Sequence, residues 1–213
     1  MRHPVVVFDL DGTLADPLDG FARSINHALR LHGLPQREPA ALARYIGPPL
    51  IDSMQALAGG GTPELHAQLI AAYRQRYGER GFAENTLYAG IPEALDALQA
   101  AGCTLGVCTS KRADFAERIL AHHGLRERFA FVSGGDIGVH KHQQLQALLA
   151  TGAIGTHAVM VGDRAVDVTS AHRNGLQACG VRWGFADPGE LQAAAPRYLA
   201  AAPDALVALL LDA

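Results

Sequence analysis

Short runs of apolar, often β-branched residues recur along this chain, and a segment with helical spacing follows most of them. Such runs are typical of strands that are buried on both faces of a parallel sheet. Five runs have this character: Val5–Phe8, Thr104–Cys108, Phe129–Val132, Ala158–Val161 and Ala178–Val181. The alternation predicts an α/β fold, a doubly wound parallel sheet with helices on both faces.

Apolar residues that recur three or four positions apart mark the helices between these strands. Three groups have this spacing: Ile91, Ala94, Leu95 and Leu98; Phe115, Ile119 and Leu120; Leu145, Leu148 and Leu149. Glycines at 102, 124, 152 and 175 stand just past the predicted helices, where glycine commonly ends a helix. The alanine-rich sequence from Leu191 onward predicts a final helix that covers the sheet.

The segment between Leu14 and Leu87 contains no convincing strand. It has three helical patterns instead: Phe21, Ile25, Ala28 and Leu29; Leu50, Met54 and Leu57; Leu65, Leu69, Ala72 and Tyr73. We therefore predict a helical cap domain over residues 15–87, inserted after the first strand of a core domain formed by residues 1–14 and 88–213.

Charge and hydropathy restrict the partners. The chain has 18 basic and 21 acidic residues, a net charge of −3, and 6% aromatic residues. Without a basic run or basic residues interleaved with aromatics, nucleic acid is not expected as a partner. No apolar run reaches the roughly 18 residues of a membrane span, and Asp9 interrupts the apolar run that a signal peptide would need. We expect a soluble, cytoplasmic protein without a membrane partner.

The three cysteines, Cys103, Cys108 and Cys179, lie within or beside apolar segments. No two of them have the close spacing of a zinc or redox motif. We therefore expect buried thiols in a reducing compartment.

Polar side chains follow several of the predicted strands, at the edge where ligands bind in open α/β sheets. These residues are Asp9 and Asp11, Thr109 and Ser110, and Asp163 and Asp167. The predicted sheet thus brings carboxylates and hydroxyls together at one edge.

The first of these segments reads Asp9-Leu10-Asp11-Gly12-Thr13. Two acids that are two residues apart on an extended chain project to the same side. Gly12 permits a tight turn whose backbone amides are free to approach an oxyanion. Asp-Gly alone is an ordinary turn signal, but the whole pentapeptide directly after a buried strand favours a functional site.

The second segment, Val159–Asp167, is another apolar run that ends in a glycine and an acid, with a further acid four residues on. At this spacing Asp163 and Asp167 face the same way if a helical turn begins there. Alternatively, Asp163 is a helix N-cap and Asp167 a solvated helix residue. The segment alone leaves both interpretations open, and its occurrence together with the first segment favours the functional one.

Taken together, these segments resemble the haloacid dehalogenase superfamily, specifically its phosphatases with a helical cap after the first motif, as in phosphoglycolate phosphatase-like proteins. The resemblance rests on the order and spacing of Asp9–Leu14, Thr109, a lysine before the fourth strand, and Gly162–Asp167. Gly47-Pro48-Pro49-Leu50 is similar to a cap sequence of phosphoglycolate phosphatases or nucleotidases. The chain departs from its relatives before Lys141, where it reads Asp136-Ile137-Gly138-Val139-His140-Lys141-His142 instead of a Lys-Pro or Asp-Gly-x-Arg-x-x-Lys sequence.

The resemblance implies a magnesium-dependent phosphatase that acts on a small phosphorylated metabolite, phosphoglycolate-like or a nucleotide, through an aspartyl phosphate on Asp9. It implies that Mg²⁺ is held by the Asp9 and Asp163 side chains and the Asp11 main-chain carbonyl, with support from Asp167. Mg²⁺ prefers such oxygen ligands. Asp11 would protonate the leaving alcohol and then deprotonate the attacking water.

The resemblance also implies roles for polar and cationic residues. The chain has only two lysines, Lys111 and Lys141, and both fall where the family places polar site residues. Lys141 would set a compact ammonium beside Asp9, and Thr109 would bind phosphate oxygens. The remaining candidates for substrate binding are Gly12, Thr13, Ser110, Lys111 and, in the cap, Arg44 together with Arg23. A solvated role is an equal alternative for Lys111 and Arg112, and His140 and His142 are interpreted as incidental polar residues.

Other functions are tested by single features. Asp11 argues against a dehalogenase, and the lack of lysine in residues 15–87 argues against a phosphonate hydrolase with a Schiff-base lysine. There is no Gly-x-x-x-x-Gly-Lys-Ser/Thr run and no Gly-x-Gly-x-x-Gly after the first strand, which disfavours P-loop and dinucleotide proteins. A phosphoglucomutase-like phosphotransferase and a catalytically silent binding or regulatory protein stay as alternatives. The sequence carries no signature of oligomeric state.

Overall fold

The computed structural model describes residues 3–135 and 139–211. Two compact units divide the chain: a core unit, Met1–Ala15 with Leu87–Ala213, and a helical unit, Asp16–Thr86. Each boundary lies one residue from the boundary expected from the sequence. The helical unit is therefore an insertion between the first strand of the core unit and the rest of it.

The core unit contains a six-stranded sheet in which each described pair of neighbouring strands is parallel, so the predicted parallel α/β fold is confirmed. Its strands are β1 (Val5–Phe8), β4 (Thr104–Arg112), β5 (Phe131–Gly135), β6 (Val159–Gly162), β7 (Gln177–Val181) and β8 (Tyr198–Ala200). The spatial order is β5-β4-β1-β6-β7-β8. This order places β1 between β4 and β6, so the residues that follow these three strands meet at one edge.

The strand β8 corrects the expectation of a continuous helix from Leu191 onward. Helix α9 (Glu190–Ala194) ends at Ala195, whose φ of 53° is left-handed, and Pro196 lacks the amide that a helix interior needs. Tyr198 then pairs with Cys179 as the first residue of β8, and its hydroxyl lies 3.1 Å from Nε2 of His3. The chain therefore adds an edge strand before its last helix, α10 (Pro203–Leu211).

The core unit contains further α-helices, and the first three of them carry the predicted apolar patterns. They are α5 (Ile91–Ala100), α6 (Ala113–His122), α7 (Lys141–Ala150) and α8 (Ala165–Arg173). Leu145 of α7 and Val168 of α8 pack with Val7, Met160 and other buried residues of the sheet in one apolar cluster. Burial of this cluster fixes the beginnings of α7 and α8 beside the ends of β1 and β6.

The helical unit contains α1 (Leu18–Leu31), α2 (Pro39–Leu42), α3 (Leu50–Ala58) and α4 (Pro63–Glu79). Aromatic residues join α1 to α4, since the ring centroids of Phe21 and Tyr73 are 5.8 Å apart. Arg76 of α4 donates hydrogen bonds to both carboxylate oxygens of Glu84 and to Ser24 of α1. Two-residue strands, β2 (Ala15–Asp16) and β3 (Thr86–Leu87), pair at the ends of the insertion.

The three cysteines are buried thiols, as expected. Burial raises the pKa of Cys108 and of Cys179 to about 12. Among residues 3–135 and 139–211, no helix combines the length and the apolar character that crossing a bilayer requires.

Gly134 of β5 tests how closely α6 packs on the sheet. A Cβ at this position would lie 2.2 Å from Cα and 2.4 Å from N of Ala113, the first residue of α6. Because backbone atoms cannot move aside alone, we expect Gly134→Ala to lower the free energy of unfolding by about 1–3 kcal/mol, as measured by urea denaturation. Gly155→Ala is the control, since its Cβ would meet nothing within 4 Å. Equal stabilities for the two variants would contradict this packing.

Candidate active site

The candidate site lies at the carboxyl ends of β4, β1 and β6. Asp9 directly follows β1, Thr109 lies within β4, and Asp163 directly follows β6. Each of these three side chains is nearly or fully buried: Asp9 is 5% exposed, Thr109 1% and Asp163 0%. Hydrogen bonds within this edge, and not bulk water, therefore determine how the three side chains are oriented.

Lys141, the first residue of α7, joins two of the acids. Its Nζ lies 2.9 Å from Oδ2 of Asp9 and also forms an ion pair with Asp167. Burial by itself would lower the pKa of Lys141, but the Asp167 and Asp9 carboxylates hold that pKa above its ordinary value. The other oxygen of Asp9, Oδ1, accepts a hydrogen bond from the amide of Leu10 at 2.8 Å. Lys141 is therefore a charged, buried partner of Asp9.

Asp163 is held by two donors from different loops. The Thr13 hydroxyl donates to its Oδ1 at 3.2 Å, and the Phe185 amide donates to its Oδ2 at 2.8 Å. Burial, together with the charges of Asp167 and Asp9, raises the pKa of Asp163 to about 8. The alternative in which Asp163 caps a helix is wrong, because Arg164 occupies the N-cap of α8.

Asp167 lies in the first turn of α8 with no exposed surface. It accepts a hydrogen bond from the Arg164 amide at 3.0 Å in addition to its ion pair with Lys141. Burial raises the pKa of Asp167 to about 6, against the opposing effect of Lys141. The alternative in which Asp167 is a solvated helix residue is therefore wrong.

The buried carboxylates suit a divalent cation. One oxygen from each of Asp9, Asp163 and Asp167 lies within 4.8 Å of the others, and this is the one such group in the described part of the chain. Carboxylate oxygens are the ligands that Mg²⁺ prefers. Burial, together with the charges of Asp167 and Asp9, raises the pKa of Asp163, and a bound dication would favour its ionised form. The donor set therefore fits the expected magnesium ion.

Asp11 forms a second ion pair at the same edge. Its Oδ2 lies 2.8 Å from Nζ of Lys111, and the two side chains are 17% and 8% exposed. Its Oδ1 is buried and has no hydrogen-bond partner among the described residues. Burial raises the pKa of Asp11, and Lys111 partly offsets this increase. The solvated alternative for Lys111 is wrong.

An irregularity in β4 accounts for the direction of Lys111. Thr109 pairs with Gly134 and Arg112 with Gly135, so Ser110 and Lys111 form a bulge between them. Such bulges re-aim side chains and occur next to active sites. The Lys111 amide donates to the Thr109 hydroxyl at 3.2 Å, and Ser110 is exposed. The roles of Thr109 and Ser110 in phosphate binding stay predictions.

Gly12 forms the predicted tight turn, with a φ of 82°. A Cβ on Gly12 would lie 2.2 Å from Oδ2 of Asp163, so the close approach of the two segments requires glycine. The expectation of a free amide is wrong for Gly12, since this amide donates to the Ala15 carbonyl at 2.9 Å. Thr13 is fully buried and contacts Asp163. Substrate binding by Gly12 and Thr13 stays a prediction.

The remaining candidates lie elsewhere in the chain. Arg44 and Arg23 are exposed residues of the helical unit; the Arg44 guanidinium lies 5.8 Å from the Tyr45 ring centroid, and Arg23 pairs with Asp19 and Glu84. Their role in substrate recognition stays a prediction. The rings of His140 and His142 stack on each other and are not part of the carboxylate group. Asp136-Ile137-Gly138, part of the sequence preceding Lys141, lies outside the described residues.

Sequence reasoning missed the loop that follows β7. Trp183 donates from Nε1 to the Thr13 carbonyl at 3.0 Å, and the Phe185 amide holds Asp163. A Cβ on Gly184 would lie 2.4 Å from both Asp163 and the Gly12 carbonyl. The rule that drew attention to residues after β1, β4 and β6 would have found this loop if it had been applied to β7.

Comparison with known proteins identifies a matching family and similar enzymes. The family described as "Haloacid dehalogenase-like hydrolase" matches residues 6–181. A 5'-nucleotidase of Pseudomonas aeruginosa is 37% identical over 206 residues, which cover 94% of this chain and 92% of the nucleotidase. A phosphoglycolate phosphatase of Agrobacterium fabrum is 32% identical and is aligned over 86% of this chain and 82% of its own.

A third relative carries a different name. The tyrosine-protein kinase PtkA of Mycobacterium tuberculosis is 37% identical over 85% of this chain, which spans 62% of PtkA. A solved structure of PtkA superposes with a TM-score of 0.84 at 36% identity, over 98% of each chain.

The raised pKa values predict how stability depends on pH. In the metal-free protein, Asp163 keeps its proton up to about pH 8 and Asp167 up to about pH 6, whereas an unfolded aspartate loses its proton near about pH 3.9. A folded pKa above the unfolded value stabilises the fold at low pH, and this contribution is lost as pH rises through the folded pKa. In EDTA, the Tm of the parent should therefore fall between about pH 5 and about pH 8.

Asp163→Asn is the matched control and should flatten this decrease in thermal unfolding scans. Added Mg²⁺ should raise the Tm of the parent more at about pH 8 than at about pH 5.5, since protons compete with the metal for the same carboxylates. An identical dependence on pH for parent and variant would contradict the assignment of the raised pKa to Asp163.

Proposed function

Because the chain belongs to the haloacid dehalogenase-like hydrolase family and is a phosphatase, we propose that it hydrolyses a small phosphate monoester with Mg²⁺ as cofactor and Asp9 as nucleophile. The observation that carries the proposal is the convergence of Asp9, Lys141 and Asp163 in one buried cluster. A silent relative used only for binding would not be expected to retain all three.

Charge repulsion is the main obstacle to this reaction, because both a carboxylate and a phosphate dianion are negative. Lys141 places a fixed positive charge 2.9 Å from the attacking group of Asp9. Asp9, Asp163 and the Asp11 main-chain carbonyl would hold the magnesium ion, with Asp167 supporting them through Lys141. The bound ion would supply a further positive charge against the phosphoryl oxygens.

The proposed reaction has two steps, each with one bond to phosphorus formed and one broken. In the first, an oxygen of Asp9 bonds to phosphorus, the ester P–O bond breaks, and Asp11 gives its proton to the leaving alcohol. In the second, water bonds to phosphorus, the bond to Asp9 breaks, and Asp11 takes a proton from the water. Thr109 and Ser110 provide hydroxyls for the phosphoryl oxygens. Inorganic phosphate and the alcohol leave the restored enzyme.

We further propose that the helical unit is the cap that selects the substrate. Two relatives are named as a 5'-nucleotidase and a phosphoglycolate phosphatase. These names support, as candidate substrates, phosphate monoesters that carry a second polar or anionic group. Exposed Arg44 is the candidate to contact such a group, since guanidinium pairs well with carboxylate or phosphate. A phosphotransferase is the second candidate, favoured by the likeness to PtkA, and a product phosphorylated at an acceptor other than water would identify it.

Release of inorganic phosphate from a panel of phosphate compounds tests the proposed chemistry. The panel contains 2-phosphoglycolate, nucleoside monophosphates, pyrophosphate and sugar phosphates, each assayed with Mg²⁺ and with EDTA. We expect release only with Mg²⁺, and Asp9→Asn should lower kcat about a thousandfold or more, because the nucleophile is lost. Asp204→Asn, which alters an exposed carboxylate of α10, should retain the parental rate. An Asp9→Asn protein as fast as the parent would refute the proposal.

Arg44→Ala tests substrate selection by the helical unit. We expect kcat/KM to fall about tenfold or more for esters with an additional anionic group, because one charge-assisted hydrogen bond is lost. For a neutral ester of similar size, kcat/KM should stay close to the parental value. Equal losses for both esters, measured side by side, would remove the support for Arg44.

A further inference from the structure

Asp9 and Asp11, the two acids of the segment Asp9–Thr13, each pair with a different one of the two lysines of the chain. Lys141 lies 2.9 Å from Asp9, and Lys111 lies 2.8 Å from Asp11. The Lys111 side chain is only 8% exposed, so its ammonium is not freely solvated. Among 18 basic residues only these two are lysines, and both ammonium groups lie at the active-site edge of the sheet.

The two oxygens of Asp11 differ in their surroundings. Oδ2 is held by Lys111, whereas Oδ1 is buried without a hydrogen-bond partner among the described residues. Buried acceptors are nearly always partnered in folded proteins, and an exception calls for a functional explanation. A proton or a substrate group at Oδ1 would supply the missing partner.

The backbone builds this asymmetry into the fold. Lys111 lies in the bulge of β4, and its amide is fixed on the Thr109 hydroxyl. The bulge is tightly packed, since a Cβ on Gly135 would lie 2.5 Å from the Ser110 carbonyl. Such a bulge fixes the direction of the side chain that it carries. The Lys111 side chain therefore has little freedom to move away from Asp11.

We propose that Lys111 is a positioning residue, which anchors Oδ2 of Asp11 and leaves Oδ1 as the oxygen that exchanges protons during the reaction. Oδ1 gives its proton to the oxygen of the leaving alcohol as the ester P–O bond breaks. It takes a proton back from the water that attacks the phosphorylated Asp9. This inference rests on the proposed function, and it assigns Lys111 an action through Asp11 instead of direct contact with the phosphoryl group.

Lys111→Met tests the inference, because methionine keeps an apolar stem and lacks the ammonium. The substrates are p-nitrophenyl phosphate, whose leaving phenolate needs no proton, and the best alkyl ester of the panel, whose alkoxide needs one. The comparison uses kcat/KM, which reports the steps up to phosphorylation of Asp9. We expect a loss of about 100-fold for the alkyl ester, the size expected when a catalytic group is misplaced, and of less than about fivefold for the aryl ester.

A double-mutant cycle guards against a variant that loses activity by misfolding. Lys111→Met alone leaves Asp11 without its cation, whereas Lys111→Met with Asp11→Asn leaves no unpaired charge. If Lys111 acts through Asp11, the double variant has the same kcat/KM for the alkyl ester as Asp11→Asn alone. The inhibition constant of inorganic phosphate should stay within about threefold of the parental value, since no phosphate contact is removed.

The inference would be overturned if both esters lost kcat/KM equally, inorganic phosphate inhibited more weakly and the effects in the cycle were additive. Lys111 would then be a phosphate ligand. That outcome leaves the proposed function intact, because the parent still hydrolyses both esters. Unchanged kcat/KM for the alkyl ester in Lys111→Met would overturn it as well. A parent that releases no phosphate from either ester with Mg²⁺ would overturn the proposed function and, with it, the role of Lys111.

Discussion

The buried ammonium of Lys141 between Asp9 and Asp167 is the interaction on which the rest of the site depends. A lysine buried without acidic partners would favour its neutral form, and neighbouring buried carboxylates without a cation would favour their protonated forms. Neither charge is stable at this edge without the other. Because the three residues come from the end of β1, the start of α7 and the first turn of α8, the cluster is assembled by the sheet order and not by any one segment.

Charged side chains can lie this close together only if their backbone segments also approach closely. This requirement explains the glycines around them. A Cβ on Gly12 or Gly184 would collide with Asp163, and a Cβ on Gly162 would lie 2.1 Å from the carboxyl carbon of Asp167. Two donors from separate loops, Thr13 and the Phe185 amide, can reach Asp163 only because no side chain stands between the segments. The glycines therefore serve the electrostatics of the site as much as the turns in which they lie.

The local sequence pattern predicted the features that depend on interactions between neighbouring residues. The runs that became β1 and β6 were recognisable from β-branched composition, and the acids behind them from the rule that ligands gather at strand ends. Features that depend on pairing between distant segments were not predictable: β8 is three residues long in an alanine-rich context, and the bulge at Ser110–Lys111 exists only in register with β5. Asp11 and Lys111 are 100 positions apart, so no spacing rule predicts their ion pair. The residues after β7, in contrast, could have been found with the rule that ligands gather at strand ends.

The two ion pairs give the acids of the first motif different surroundings, as their proposed chemistry requires. A nucleophile must stay ionised, and Asp9 faces a lysine whose own charge is secured by Asp167. A residue that passes protons must be able to hold one, and burial pushes the pKa of Asp11 up while Lys111 pulls it down. The fold thus delivers a different lysine to each of two acids that are two residues apart, and this difference supports the separate tasks proposed for them.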